Sequence, residues 1–173
     1  DGVDNRGGTI AAHATDLTLQ GARLDNAGGA VRNAGNGTLR VDAQTVDNNG
    51  GSLLGNGVIG VNAATLANRG GSISAQGALG ITSTGLLDNT DGLIASRDAL
   101  AITSRGNLDN SGGAIRSASS TAAARVQADG TLTNASRGGI AAERTLCARP
   151  REARGQPTPW WRARRHSSET AAT

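Results

Sequence analysis

Five aspartates stand at one recurring place in this chain, each followed by an asparagine: Asp4-Asn5, Asp25-Asn26, Asp47-Asn48, Asp88-Asn89 and Asp109-Asn110. Oxygen-rich side chains at regular spacing could hold calcium, or supply an acid and a base to a glycosidic bond. Neither chemistry fits the pattern. Calcium-binding β-rolls carry Gly-Gly-x-Gly-x-Asp nonapeptides, and no segment here has that order. No two carboxylates stand apart from the repeating aspartates, so no acid–base pair can be nominated. His13 lies among polar turn residues, and Cys147 is a single cysteine with no Cys or His at zinc-ligand spacing. The sequence offers no catalytic residue, no metal ligand and no cofactor site. The aspartate column reads as a solvated edge.

The elements that position these residues repeat as strictly as the residues do. An apolar-x-Asn-x-Gly-Gly-x-apolar phrase begins at Val3, Leu24, Val46, Leu66, Leu87, Leu108 and Leu132, at spacings of 21, 22, 20, 21, 21 and 24 residues. Asp91 replaces the first glycine of the fifth copy, and the seventh is stretched from Leu132-Thr133-Asn134 to Gly138-Gly139-Ile140. The first six phrases are each followed by an apolar pair two residues apart: Leu17/Leu19, Leu39/Val41, Ile59/Val61, Leu79/Ile81, Leu100/Ile102 and a weaker Ala124/Val126. An apolar-x-apolar spacing is the period of a strand with one buried face. A fixed period of this length marks a solenoid. The expected fold is all-β, a parallel β-helix of about seven coils, each with three short strands. At ~4.8 Å per strand the rod is roughly 34 Å long.

Two columns follow from this register. Asn5, Asn26, Asn48, Asn68, Asn89, Asn110 and Asn134 hold equivalent positions. An amide has one acceptor and two donors, so stacked copies can bond one another and cap turn backbone; the column reads as a structural ladder. The glycine pair supplies the positive φ of a sharp corner. Length varies between the Ile-type position and the next strand, from 6 to 9 residues, which is where a solenoid tolerates insertions.

Composition agrees. Among 173 residues there are 26 Gly, no Phe, no Tyr, and two Trp, at Trp160 and Trp161. All 17 basic residues are Arg. Residues 1–146 hold 11 Arg against 12 acidic residues, net −1, while residues 147–173 hold 6 Arg against 2 Glu, net +4. The basic balance belongs to the tail, and nucleic-acid binding is not expected of the repeats. The longest apolar stretches fall far short of the roughly 20 residues of a membrane span. Because Asp1 opens almost directly on a repeat, the chain reads as a piece of something longer.

The phrases Leu-Asp-Asn-x-Gly-Gly-x-Ile and Leu-x-Ile-x-Ala resemble the repeats of filamentous haemagglutinin and of the related haemagglutinin/haemolysin exoproteins, over residues 3–146. The resemblance implies a right-handed β-helix shaft, secreted to the bacterial cell surface through an outer-membrane transporter partner. The shaft serves adhesion to receptors on host or neighbouring cells, or is the stalk of a contact-dependent growth-inhibition toxin-delivery protein. The secretion domain, receptor-binding segment and toxin domain of that family are not recognisable here. A third class, the β-helix polysaccharide-processing enzymes, lines an outer groove with clustered acids and aromatics, and the repeats contain no aromatic and one His. With unpaired strand edges at both ends, the isolated fragment is expected to self-associate.

The expected boundary falls at residue 146, with residues 147–173 an irregular tail outside the solenoid, because Pro150 cannot donate to a ladder. The tail, with Trp160-Trp161-Arg162-Ala163-Arg164-Arg165, admits three readings: a basic-aromatic arm for an anionic surface, a disordered linker, or an out-of-frame product of a shift near codon 146. The third makes a test from DNA alone. Another frame after codon 146 should resume a Leu-x-Asn-x-Gly-Gly phrase; if neither alternative frame does, the frameshift reading fails.

Overall fold

Every pairing between strands is parallel and joins a residue to its equivalent one coil on. The computed structural model describes residues 1–144 and 146–150. Among them the chain makes strands and no helix. One sheet stacks β2 (Thr9–Ala12), β4 (Ala30–Asn33), β6 (Ser52–Gly55), β8 (Ser72–Ala75), β11 (Leu93–Ser96), β14 (Ala114–Ser117) and β17 (Gly139–Ala142), the segments after each glycine corner. The other stacks β1 (Gly2–Asp4), β3 (Leu17–Asp25), β5 (Thr38–Asp47), β7 (Val58–Ala67), β9 (Leu79–Ser83), β12 (Leu100–Ser104), β15 (Ala124–Ala128) and β18 (Leu146–Pro150). The two-residue strands β10 (Leu87–Asp88), β13 (Leu108–Asp109) and β16 (Leu132–Thr133) branch from β7. The chain is a right-handed parallel β-helix of about seven coils.

The core is a set of aliphatic columns. Leu24, Val46, Leu66, Leu87 and Leu108 stack in one, and Val31, Leu53, Ile73, Ile94 and Ile115 in another, all buried. The largest fully buried side chains are all Leu or Ile, so like sits on like and no layer needs an aromatic to fill it. At the two ends Val3, Ile10, Leu132, Ile140 and Leu146 are only partly buried, because each has a neighbouring coil on one side.

The three strands expected per coil are seen in coils that carry β9/β10, β12/β13 and β15/β16, but β3, β5 and β7 each fuse two of them. Spacing decides which. From Leu19, Val41 and Val61 to the apolar residue that opens the next Asn-Gly-Gly phrase is 5 residues, and the backbone bends without leaving the ladder. From Ile81, Ile102 and Val126 it is 6, and the extra residue breaks the strand into two. The turns before β3, β5 and β15 are the long ones, and the longest, residues 118–123, is closed on Ser119, whose Oγ accepts the Ala122 N–H at 2.9 Å.

The ladder also runs past the boundary expected at 146. β18 pairs residue for residue with β15, from Ala124 with Leu146 to Ala128 with Pro150. Pro150 is tolerated because it is the last residue of a strand at the sheet edge, a place where a missing N–H leaves no buried acceptor unmet. Residues 151–173, with Trp160 and Trp161, lie outside the described residues.

Ile94 touches a stacked isoleucine on each side, Ile73 and Ile115. Ile94→Ala should therefore destabilise by about 2–5 kcal/mol, whereas Ile10→Ala, at a half-buried end, should shift the urea midpoint much less. Equal shifts for the two would show that the columns do not carry the stability.

Candidate functional site: the asparagine corner

Each Asn-x-Gly-Gly segment is a four-residue turn. The second-glycine N–H donates to the asparagine carbonyl, as from Gly71 to Asn68 at 3.2 Å and from Gly92 to Asn89 at 3.0 Å. The two glycines are needed for different reasons. Gly7, Gly28, Gly50, Gly70 and Gly112 have φ between 59° and 67°, and the first four face open space. That place needs only a left-handed backbone, and Asp91 takes it at φ 54°. Gly29, Gly51, Gly71, Gly92 and Gly113 have ordinary φ but no room, since a β-carbon on any of them would overlap the carbonyl oxygen of the asparagine one coil earlier. In the seventh coil the sequence pair Gly138-Gly139 is out of step with this pattern. Gly138 alone takes the crowded place, Ser136 and Arg137 are the left-handed residues at φ 52° and 67°, and Gly139 pairs with Ala114 inside β17.

The seven asparagines meet in one column. Each Nδ2 donates to the Oδ1 of the next: Asn5 to Asn26 at 2.6 Å, then 2.7, 2.7 and 2.7 Å down to Asn89, 2.6 Å to Asn110 and 2.8 Å to Asn134. The same amide reaches the second-glycine carbonyl of its own corner at 3.2–3.4 Å. It also reaches a carbonyl of the next coil at 3.0–3.5 Å. Asn26, Asn48, Asn68, Asn89 and Asn110 are fully buried, while Asn134 in the last coil is exposed. From Asn26 to Asn110 the amides are consumed by the fold.

The aspartate column is only in part the solvated edge expected of it: Asp4 is exposed, Asp47 and Asp109 are half-buried, and the other two are buried. Asp25 and Asp88 are 8% and 4% exposed. Each aspartate Oδ1 accepts the N–H two residues on: Arg6, Ala27, Asn49, Thr90 and Ser111, at 2.9–3.3 Å. The carboxylate thus closes an Asx turn over the corner, which is why Asp recurs before Asn. Arginines neutralise the stack between coils. Arg6 lies 2.6 Å from Asp4 and 3.7 Å from Asp25, and Arg23 lies 2.8 Å from Asp25 and 3.9 Å from Asp47. The fourth coil has Ala67 in place of aspartate, and its Arg69 reaches forward to Asp88 at 2.5 Å. The hydrogen bond from Arg6 holds the Asp4 carboxyl down at about 2. Burial pushes Asp88 up, but the Thr90 hydroxyl and N–H and the Arg69 guanidinium outweigh it and leave the carboxyl below its ordinary 3.8.

A second polar column went unread in the sequence. Ser83 and Ser104 are buried at the six-residue corners, 3.1 Å apart, and their hydroxyls donate to Gly85 O at 3.0 and 2.7 Å. Ser96 and Ser117 do likewise for Asp98 O at the next corner, both at 2.9 Å. The signal was a serine two residues after an inward isoleucine, in Ile81-Thr82-Ser83 and Ile102-Thr103-Ser104 and again in Ile94-Ala95-Ser96 and Ile115-Arg116-Ser117. Among the described residues, Asn33 Nδ2 is the buried side-chain polar atom without a partner; its Oδ1 caps the Ala14 and Gly35 N–H groups. His13 and Cys147 are exposed, and no group of three or more metal-ligating side chains forms among the described residues.

The haemagglutinin repeat model matches residues 1–40, 34–112 and 113–146. The chain belongs to the haemagglutinin repeat family. No curated protein matches it, and no solved structure does. A haemagglutinin repeat on a β-solenoid is an adhesin-type shaft, of a family that is secreted or held at the cell surface.

Two outcomes follow. Asn68→Ala strands its neighbours' polar groups and should destabilise by roughly 1–3 kcal/mol, while Gly71→Ala should cost more than Gly70→Ala because only the former collides with backbone. Urea midpoints of the three variants check the order, and an unchanged midpoint for Asn68→Ala would make the ladder incidental. A carboxyl depressed in the folded state stabilises fully above its unfolded value and loses that contribution as pH falls through the folded one. The stability gap between the native chain and Asp88→Asn should accordingly be present at neutral pH and close as the solution is acidified below 3.8.

Proposed function

We propose that this chain is a non-catalytic length of shaft in a secreted, cell-surface adhesin of the filamentous haemagglutinin type, where it supports cell adhesion. The observation that carries the reading is the direction of its polar chemistry. The repeated amides and buried hydroxyls are spent between coils, and the repeated carboxylates cap the turns beside them. What remains on the outside is a regular wall, built to hold length and direction. Export through an outer-membrane transporter partner and contact with receptors on host or neighbouring cells belong to the same reading.

The test removes whole coils. Deleting residues 66–107 joins Thr65 to Leu108, the equivalent of Leu66 two coils on, and so leaves every column in register. In the parent exoprotein this variant should still reach the surface, fold, and attach cells, with a rod shortened by ~10 Å. Deleting half a coil should abolish both folding and attachment. Loss of killing of neighbouring cells with attachment unchanged would instead mark the shaft as a toxin-delivery stalk. Cleavage of a polysaccharide by the purified chain would overturn the non-catalytic reading.

A further inference from the structure

Three Asn-Gly dipeptides occur in the chain: Asn36-Gly37, Asn49-Gly50 and Asn56-Gly57. They share one latent reaction. The glycine nitrogen attacks the asparagine Cγ, the bond from Cγ to the side-chain nitrogen breaks, and ammonia leaves as a succinimide closes. Water then opens the ring to aspartate or isoaspartate. Water is the sole co-reactant, and glycine favours the step because it puts no β-carbon in the path. The attack needs a glycine N–H outside any hydrogen bond and an amide free to swing over it.

We infer that Asn36 and Asn56 are sites of spontaneous deamidation and that Asn49, with the same dipeptide, is protected by its corner. Asn49 meets neither requirement. Gly50 N donates to Arg69 O at 2.9 Å with φ at +62°, and Asn49 Oδ1 accepts the Arg69 N–H at 2.8 Å. Asn36 and Asn56 sit exposed in the turns before β5 and β7. Neither Gly37 nor Gly57 donates its N–H among the described residues. The Asn36 amide has no partner among the described residues, while Asn56 Nδ2 donates to Ala34 O at 2.8 Å, which ranks Asn36 ahead of Asn56.

The reactive glycines cannot be exchanged for safer residues. A β-carbon on Gly37 would overlap Thr15 O, and one on Gly57 would overlap Gly37 O. Close stacking at this corner thus enforces the dipeptide that undergoes the reaction. The products change the corner in turn. At residue 36 the reaction adds a carboxylate beside Asp16, whose Oδ1 already accepts the Thr38 N–H at 2.8 Å. At residue 56 the Nδ2 bond to Ala34 is lost, and isoaspartate inserts a methylene where the backbone has no slack. The reaction is a clock, marking the age of the rod at its second and third coils.

The whole chain, folded, is held at mildly alkaline pH, sampled over weeks and digested with trypsin. Cleavage at Arg32, Arg40 and Arg69 puts Asn36 in one peptide and Asn49 with Asn56 in another, where fragmentation separates them. A gain of one mass unit, and labelling by an isoaspartate methyltransferase, report conversion. The order expected is Asn36, then Asn56, with Asn49 slower than Asn36 by about tenfold or more, since it reacts only after its corner opens. In denaturant the three rates should converge. Asn36→Gln should remove the mass gain from its peptide. Equal conversion of Asn49 and Asn36 in the folded chain would overturn the inference. So would an Asn36 no faster than Asn62, which precedes alanine, or a slow Asn49 that persists in denaturant.

Discussion

One backbone oxygen and one missing β-carbon set the distance between coils. From Asn5 to Asn89 the carbonyl of each ladder asparagine packs directly over the Cα of the second glycine in the following coil, and that of Asn110 over Gly138, where a methyl group would overlap it. With that contact in place, the asparagine N–H donates to the next coil at 2.7–2.8 Å, and the amide column closes at hydrogen-bond distance. The glycine also clears room for the amide of its own corner, since a β-carbon on Gly92 would lie 2.6 Å from Asn89 Oδ1. Asparagine and glycine are therefore one device. Neither residue is usable in the corner without the other.

Stability and register have different sources. Each interior coil buries three or four Leu, Ile or Val side chains, and at about 1.5–3 kcal/mol apiece their burial outweighs the ~1 kcal/mol net of one amide hydrogen bond. The aliphatic columns would tolerate a slip along the chain, because Leu, Ile and Val are nearly interchangeable within them. An amide displaced from its column would leave a fully buried donor and acceptor unmet, at about 1–3 kcal/mol each. Hydrophobic burial holds the rod together, and the polar columns decide which residue stacks on which. The aspartates act at the same level, each fixing the turn two residues ahead while arginines from adjacent coils offset the repulsion of stacked carboxylates.

The repeating contacts were legible because they leave periodic marks: apolar residues two apart, an asparagine in every copy, glycines beside it. Residues whose role depends on a single local count were not. Gly138-Gly139 looks like the other pairs, yet one extra turn residue moves Gly138 into the crowded place and Gly139 into a strand. Leu19 to Leu24 and Ile81 to Leu87 differ by one residue, which separates a bent continuous strand from two strands, the first ending on Ser83. The aspartates looked solvent-facing because charge is the stronger sequence cue; their turn-closing role depends on a hydrogen bond to a backbone N–H that sequence does not display. Pro150 marked an apparent end to pairing, since the rule against proline in a ladder applies to interior strands and β18 is at the edge.

The inward columns and the outward wall are subject to unlike constraints. Along one face of the second sheet the outward positions read Thr18, Arg40, Gly60, Gly80, Ala101 and Arg125, a sequence with no common size or charge. Their inward neighbours Leu19, Val41, Val61, Ile81, Ile102 and Val126 are all aliphatic. Because each coil touches only the coils beside it, adding or removing one leaves the energies of the others almost unchanged. Length can then vary by whole coils and surface by single residues, each without disturbing the other. A wall with that freedom suits a projecting shaft, whose reach and outer chemistry have to change while its fold does not.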